Sequence, residues 1–198
     1  STMSKAEDVF KAYDIRGIFP DEVNEELFLN IGRAFSIFIK NKSQKNTSVI
    51  VGRDMRKSSE SLAAAFATGV MEQGINPIDI GLASTDMCYF ASGNFDFPAA
   101  MVTASHNPAE YNGLKICMNK ARPVGEDSGL KEILEIVNTS PERQSVVGNI
   151  QEIDVLGEFA DHVCSVIDVS NLRALKVVAD TANGMGGLIL PPIFKKLP

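Results

Sequence analysis

Ser48-Val49-Ile50-Val51-Gly52 and Ile75-Asn76-Pro77-Ile78-Asp79-Ile80 bracket a segment in which Leu62, Phe66 and Val70 recur on one helical face. This strand, helix, strand succession decides the fold. Ser58 or Ser59 is placed to cap the helix and Gly74 to stop it. Upstream, Leu27, Ile31, Ala34, Phe35, Phe38 and Ile39 predict another helix feeding the Ser48 strand. Downstream, Thr85 to Ser92 reads as a short helix, Ala99 to Thr103 and Leu114 to Met118 as strands. Leu130, Ile133, Leu134 and Val137 mark a further helix. The alternation predicts an α/β fold with a mostly parallel or mixed sheet.

Between Asn138 and Asn149 the chain turns polar, with Thr139-Ser140-Pro141 and Gly148, so a domain boundary is expected there. A new unit is expected from Ile150. It would hold a helix with Phe159, Val163 and Val166/Ile167 inward, a strand Lys176 to Ala179, and the glycine-rich turn Thr181 to Gly187. One strand and two helices cannot bury a core. The chain therefore reads as a fragment: one domain over residues 3–149 and the truncated start of a second over 150–198, with Ser1-Thr2 set aside as a cloning remnant.

Of the 198 residues, 44% are hydrophobic and 22% charged, and no apolar run approaches the about 20 residues of a membrane helix. A soluble protein with no membrane partner is expected. The 25 acidic and 19 basic side chains give a net charge of −6, which argues against a nucleic-acid surface but leaves room for a local anion pocket. Cys88, Cys117 and Cys164 are odd in number and widely spaced, suggesting neither a disulfide framework nor a zinc site. Without a signal-peptide pattern at the N-terminus, a cytoplasmic location is expected.

Met101-Val102-Thr103-Ala104-Ser105-His106-Asn107-Pro108 delivers a serine hydroxyl from the end of a buried strand into a polar turn. Taken alone, such a serine is most often a turn residue. Only His106 and His162 could serve a serine-histidine mechanism, and His162, beside the apolar stripe of the 150s helix, needs no function. The hydrolase elbow needs glycines flanking the serine at two residues' distance, where this chain has Thr103 and Asn107. Neither a Walker A loop nor a full dinucleotide fingerprint is present.

The remaining polar motifs are Tyr13-Asp14-Ile15-Arg16-Gly17, Gly52-Arg53-Asp54-Met55-Arg56-Lys57-Ser58-Ser59, Thr103 to Pro108, and Glu110 to Lys115. Each is expected at a strand end or loop. In open α/β sheets such loops converge on one crevice, where arginines, a lysine, a serine and a histidine can face one anion. Arg16 and Arg53 are evenly balanced between that role and ion pairs with Asp14 or Asp54. Lys115 is balanced between proton acceptor and solvated strand-edge charge.

From Val9 onward the chain resembles the N-terminal part of an α-D-phosphohexomutase of the phosphomannomutase/phosphoglucomutase branch. The motifs occur in order: Phe10 to Gly17, Gly52-Arg53-Asp54, Thr103 to Pro108, Tyr111-Asn112-Gly113-Leu114-Lys115, and Val178-Ala179-Asp180 with Asn183-Gly184. The phosphoglucosamine mutase branch shares the Ser-His-Asn-Pro turn but typically carries Gly-Thr-Asp-Gly before Ile-Arg-Gly, so Tyr13-Asp14 points away from it.

The resemblance implies a three-layer α/β/α domain with a mixed sheet, followed by the start of a similar one. It implies Ser105 as a phosphoserine that interconverts hexose 1-phosphate and hexose 6-phosphate through a hexose 1,6-bisphosphate. Lys115 is implied as general base, Arg16 as the group steadying the phosphoryl, and Tyr13 as lining the sugar pocket. His106 and Asn107 would fix the serine loop and assist proton movement, Arg53 would belong to the same set of motifs, and Asn183 and Gly184 would lie in a supporting loop of the second domain. Mg²⁺ would bind Ser105 through its phosphate, its other ligands lying in missing C-terminal domains of the same polypeptide. The chain alone is expected to be inactive. Two rival readings are a phosphate-ester hydrolase using Ser105 and His106, and a non-catalytic sugar-phosphate binding module.

Overall fold

A computed structural model describes residues 5–166 of the chain. Seven strands form one mixed sheet, and helices cover both of its faces. In chain order the elements are β1 (Ile15–Ile18), α1 (Glu25–Lys42), β2 (Ser48–Arg53), α2 (Ser59–Met71), β3 (Asn76–Leu82), α3 (Thr85–Phe95), β4 (Ala99–Val102), β5 (Tyr111–Met118), β6 (Arg122–Pro123), α4 (Lys131–Asn138), β7 (Gln151–Glu152) and α5 (Leu156–Val166). The sheet order is β1-β5-β4-β2-β3-β7, with β6 pairing to β5. Strands β4, β2, β3 and β7 run parallel, while β5 runs antiparallel to β4 and to β1.

Alternation along each strand divides the core in two. Val49, Val51, Ala100, Val102, Leu114 and Ile116 meet α1, α2 and α4 on one face. Ile50, Ile78, Ile80, Ala99, Met101 and Cys117 meet α3 and α5 on the other. Helix α1 starts where the Asn24 side chain accepts a 2.9 Å hydrogen bond from the Leu27 amide, as an N-cap should. It crosses α2 closely because Gly32 and Gly69 leave out side chains. A Cβ at Gly32 would stand 2.2 Å from the Phe66 carbonyl oxygen, and one at Gly69 2.1 Å from that of Leu29.

Several local expectations shift. Residues 15–18, expected at a strand end or loop, form a strand of their own, and β5 begins at Tyr111, three residues before Leu114. The pairing Arg16↔Gly113 and Gly17↔Asn112 makes a sheet edge out of an Asn-Gly pair whose composition reads as a turn. Ser58 stands at the N-cap of α2 without capping it, because its hydroxyl oxygen accepts from Asn112 Nδ2 at 2.8 Å. Helix α3 runs on to Phe95.

The chain past Ile150, expected to open a second unit, adds β7 beside β3. It also buries Val155, Phe159 and Ala160 against α3. The expected strand Lys176 to Ala179 and the turn holding Asn183 and Gly184 lie outside the described residues. Among the described residues no helix is long and apolar enough to cross a membrane.

Candidate active site at the carboxyl edge of the sheet

The loops that follow β2, β3 and β4 leave the same edge of the sheet, as they must when parallel strands share a direction. Thr103 to Pro108 starts buried at Thr103 and Ala104 and comes to the surface at Ser105 and His106. Ser105 stands on the surface with φ +56°, a left-handed conformation that costs a non-glycine residue on the order of 1–3 kcal/mol unless its surroundings hold it.

What holds it is a hydrogen-bond network beneath the turn. The Ser105 amide donates to Thr103 Oγ1 at 3.0 Å, and that hydroxyl donates to Asp54 Oδ2 at 2.8 Å. Asp54 also accepts from the Ser59 hydroxyl and from the Arg56 amide. Arg56 donates to the carbonyls of Ser105, Asn107, Pro108 and Tyr111 at 2.7–3.0 Å, and its Nε to Asp54 Oδ2 at 3.2 Å. Within the turn, Asn107 Nδ2 donates to the Ala104 carbonyl at 2.8 Å. Asn112, fully buried, ties β5 to the start of α2 through Ser58 and Ser59.

Register brings two further sequence-predicted residues to the same side of the sheet. Lys115 pairs with Met101 and Arg16 with Gly113. Both lie out of phase with the α1–α2 core residues Leu114 and Ile15, so they occupy the α3 face, as Thr103 does. Asp14 joins them: its carboxylate stands 3.6 Å from Arg16 Nε and 3.5 Å from Lys115 Nζ. At 3.6 Å the Arg16 contact is an ion pair rather than a hydrogen bond, and Arg16 Nε is buried without a hydrogen-bond partner. Tyr13, just before β1, is 82% exposed.

Also on this face, burial raises the Tyr89 phenol above its ordinary range. The neighbouring Cys117, Cys88 and Asp14 add to the effect in that order. Burial pushes the Cys88 and Cys117 thiols up as well.

A cavity of about 540 Å³ opens under the serine turn, lined by Asp54, Arg56, Ser84, Ser105, His106 and Asn107 among others. His106 is exposed on the turn, and among the described residues no hydrogen bond joins it to the Ser105 hydroxyl. Arg53 does not join this group. As the last residue of β2 it falls in phase with Val49 and Val51, so it faces α2 and pairs with Asp79 at 3.7 Å. Its expected alternative partner, Asp54, belongs to the Ser105 network instead.

Arg56 stands in the sequence motif without an expected role, Asp54 is expected there only as an ion-pair partner of Arg53 and Thr103 only as a flank of the serine, whereas together they support the Ser105 turn. The available signal was the Asp54-x-Arg56 spacing just before a helix, where a carboxylate can bond a nearby backbone amide and orient a second side chain. His162 lies on exposed helix surface with its ring 4.9 Å from that of Phe90.

The fit of a divalent cation can be judged from the donors present. Among the described residues no three histidine, cysteine, aspartate or glutamate side chains gather to hold a metal. Asp54, the carboxylate nearest the serine turn, is already engaged by four donors. These residues alone do not fit a Mg²⁺ site.

Comparison with known proteins places this geometry in context. The family model described as phosphoglucomutase/phosphomannomutase, alpha/beta/alpha domain I, matches residues 7–144. A phosphomannomutase of Vibrio cholerae serotype O1 is 37% identical over 189 residues, covering 94% of this chain and 41% of its own length. One from Escherichia coli is 38% identical over 192 residues with the same coverage. Among solved structures, a phosphoglucomutase/phosphomannomutase family protein of Burkholderia thailandensis aligns with a TM-score of 0.72 at 28% identity, over 83% of this chain and 37% of that one. The chain spans about two-fifths of the length of the curated relatives it matches.

Proposed function

The chain belongs to the phosphoglucomutase/phosphomannomutase family, and from that premise we propose that it carries the phosphoryl-transfer half of a hexose-phosphate mutase. The observation that carries this reading is Ser105, exposed at φ +56° on a turn bonded from beneath by Arg56 and Thr103. Arg16 and Lys115 lie on neighbouring strands of the same face. Such a serine is held for presentation.

In this reading phosphorylated Ser105 gives its phosphoryl group to the free hydroxyl of a hexose 1-phosphate. The accepting oxygen forms the new P–O bond as the Ser105 Oγ–P bond breaks, and Lys115 takes the hydroxyl proton. Arg16 contributes positive charge beside the equatorial phosphoryl oxygens. The resulting 1,6-bisphosphate turns over, its other phosphoryl returns to Ser105, and hexose 6-phosphate leaves. His106 and Asn107 shape the turn, and Tyr13 stands free to meet the sugar.

Mannose and glucose phosphates are the substrates this reading favours, since similar proteins are phosphomannomutases and the family model covers phosphoglucomutases as well. The remaining binding groups and the metal ligands belong to the rest of the polypeptide, which continues the second unit expected from Ile150. This segment by itself turns over no substrate. We place this activity in the cytoplasm.

The test is made on the full-length polypeptide. Incubation with glucose 1,6-bisphosphate should leave one phosphate, mapped by peptide mass spectrometry to Ser105. The protein should then convert glucose 1-phosphate or mannose 1-phosphate to the 6-phosphate without releasing inorganic phosphate. Absence of the Ser105 adduct in an active enzyme would sink the proposal. Release of free phosphate instead would favour a hydrolase.

A further inference from the structure

Arg56 has five N–H donors, and all five are used. Nε bonds Asp54 Oδ2, Nη1 bonds the carbonyls of Pro108 and Tyr111, and Nη2 those of Ser105 and Asn107. Its side chain is only 13% exposed. Arg56 is the arginine bonded directly to the Ser105 turn, yet it has no donor left for a phosphoryl oxygen. Arg16, with its Nε unpartnered, is in the opposite condition.

We infer that Arg56 is a positioning residue for transfer at Ser105, acting through the turn and never touching substrate; this rests on the function proposed above. Four carbonyls drawn onto one planar cation fix the peptide planes from Ser105 to Tyr111. They hold the left-handed Ser105 backbone against its own strain. They also engage the negative ends of those peptides with a cation beside the anion that Ser105 would carry, so the guanidinium lessens a repulsion as well as fixing the turn.

Asp54 neutralises the cation and, through Thr103, grips the Ser105 amide. Both ends of the serine's backbone are therefore held by one ion pair. A lysine could not replace the arginine, because three donors on a tetrahedral nitrogen cannot reproduce a flat fork with five.

The experiment uses full-length protein with Arg56→Lys and Arg56→Ala, assayed for 1-phosphate to 6-phosphate isomerisation, with circular dichroism as a check on folding. Misplacement of a reacting group by about 1 Å costs on the order of 10²-fold, so Arg56→Lys should lower kcat by about that factor. KM for the hexose phosphate should stay within about threefold, because a residue that does not touch substrate contributes little to ground-state binding. Transfer from bisphosphate to Ser105 should slow in parallel. Added ethylguanidinium should restore activity to Arg56→Ala at least about tenfold by refilling the vacated site.

A folded Arg56→Lys with kcat within twofold of the wild type would overturn the inference. So would a rise in KM at unchanged kcat, which would make Arg56 a substrate ligand. Failure of both variants to fold would make it a general stability residue and overturn it too. An inactive wild type defeats the proposed function itself, whereas an active wild type with an indifferent Arg56 defeats only the positioning role.

Discussion

The Ser105 carbonyl accepts a 2.9 Å hydrogen bond from Arg56, a residue 49 positions earlier in the chain. The loop after β2 therefore sets the shape of the loop after β4. Neither loop can be varied alone, because the cation that closes one turn is anchored by the carboxylate that begins the other.

Asp54 is the first place to test that dependence. Its carboxylate accepts from Ser59, from Thr103 and twice from Arg56. Asp54→Asn keeps the shape but turns one acceptor into a donor that faces other donors. We expect a loss of about 1–3 kcal/mol, the cost of leaving such groups unsatisfied, read from urea unfolding of the chain. A change under about 0.5 kcal/mol, typical of neutral surface positions, would remove Asp54 from the role.

The α1–α2 crossing gives a paired prediction. Gly32→Ala places a methyl 2.2 Å from the Phe66 carbonyl oxygen, while at Gly93 in α3 nothing lies within 4 Å. Alanine favours both helices by up to about 1 kcal/mol, but overpacking costs about 1–3 kcal/mol or more. Thermal melts should show Gly32→Ala destabilised and Gly93→Ala unchanged or stabilised. Equal shifts in one direction would refute the close crossing.

Gly113→Ala tests the sheet edge. A Cβ there would lie 2.0 Å from the Ile15 carbonyl oxygen, forcing β1 away from β5 and carrying Arg16 with it. Hydrogen exchange should show lost protection of the β1 amides with β2 and β3 protected as before. Unchanged β1 protection would contradict the register.

Alkaline titration should weaken the fold. Burial raises the pKa values of Cys88, Cys117 and Tyr89, so the folded state keeps protons that the unfolded state gives up. Their contribution is fully present below the unfolded values, roughly 8.5 for cysteine and 10 for tyrosine, and is lost as pH rises through the higher folded values. Lys40, lowered by burial, has the opposite sign and recovers stability over part of the same rise. The urea midpoint should be flat from pH 7 to about 8.5 and fall beyond it, less steeply in Cys88→Ala. An unchanged midpoint to about pH 10.5 would be inconsistent with these buried groups.

The strands β2, β3 and β4 were legible because short apolar runs, bounded by Gly52 and Gly74 for the first two and by Pro98 and a polar turn for the third, have few other readings. β1 was not legible: Ile15-Arg16-Gly17-Ile18 is too short to show a period, and its pairing partner lies in another part of the chain. Ser105, Lys115 and Arg16 could be picked out by residue type and motif. Arg56 was harder to read: the Asp54-x-Arg56 spacing hints at a local carboxylate–arginine contact, but its bonds to four backbone carbonyls leave no trace in composition. Arg53, with the same side chain three residues earlier, faces the other side of the sheet because of strand parity, which a count of arginines cannot express.

The pairing of Arg16 with Gly113 also sets an order of events in the cell. During vectorial synthesis β1 leaves the ribosome first, yet its partner strand is made about a hundred residues later. The first strand must wait, unpaired, while β2, β3 and their helices can already associate. Long-range pairings of this kind close slowly because loop entropy precedes their reward. The β1 edge of the sheet is therefore a late product of folding in this domain, complete only when residues 15–18 have found a strand made about a hundred positions later.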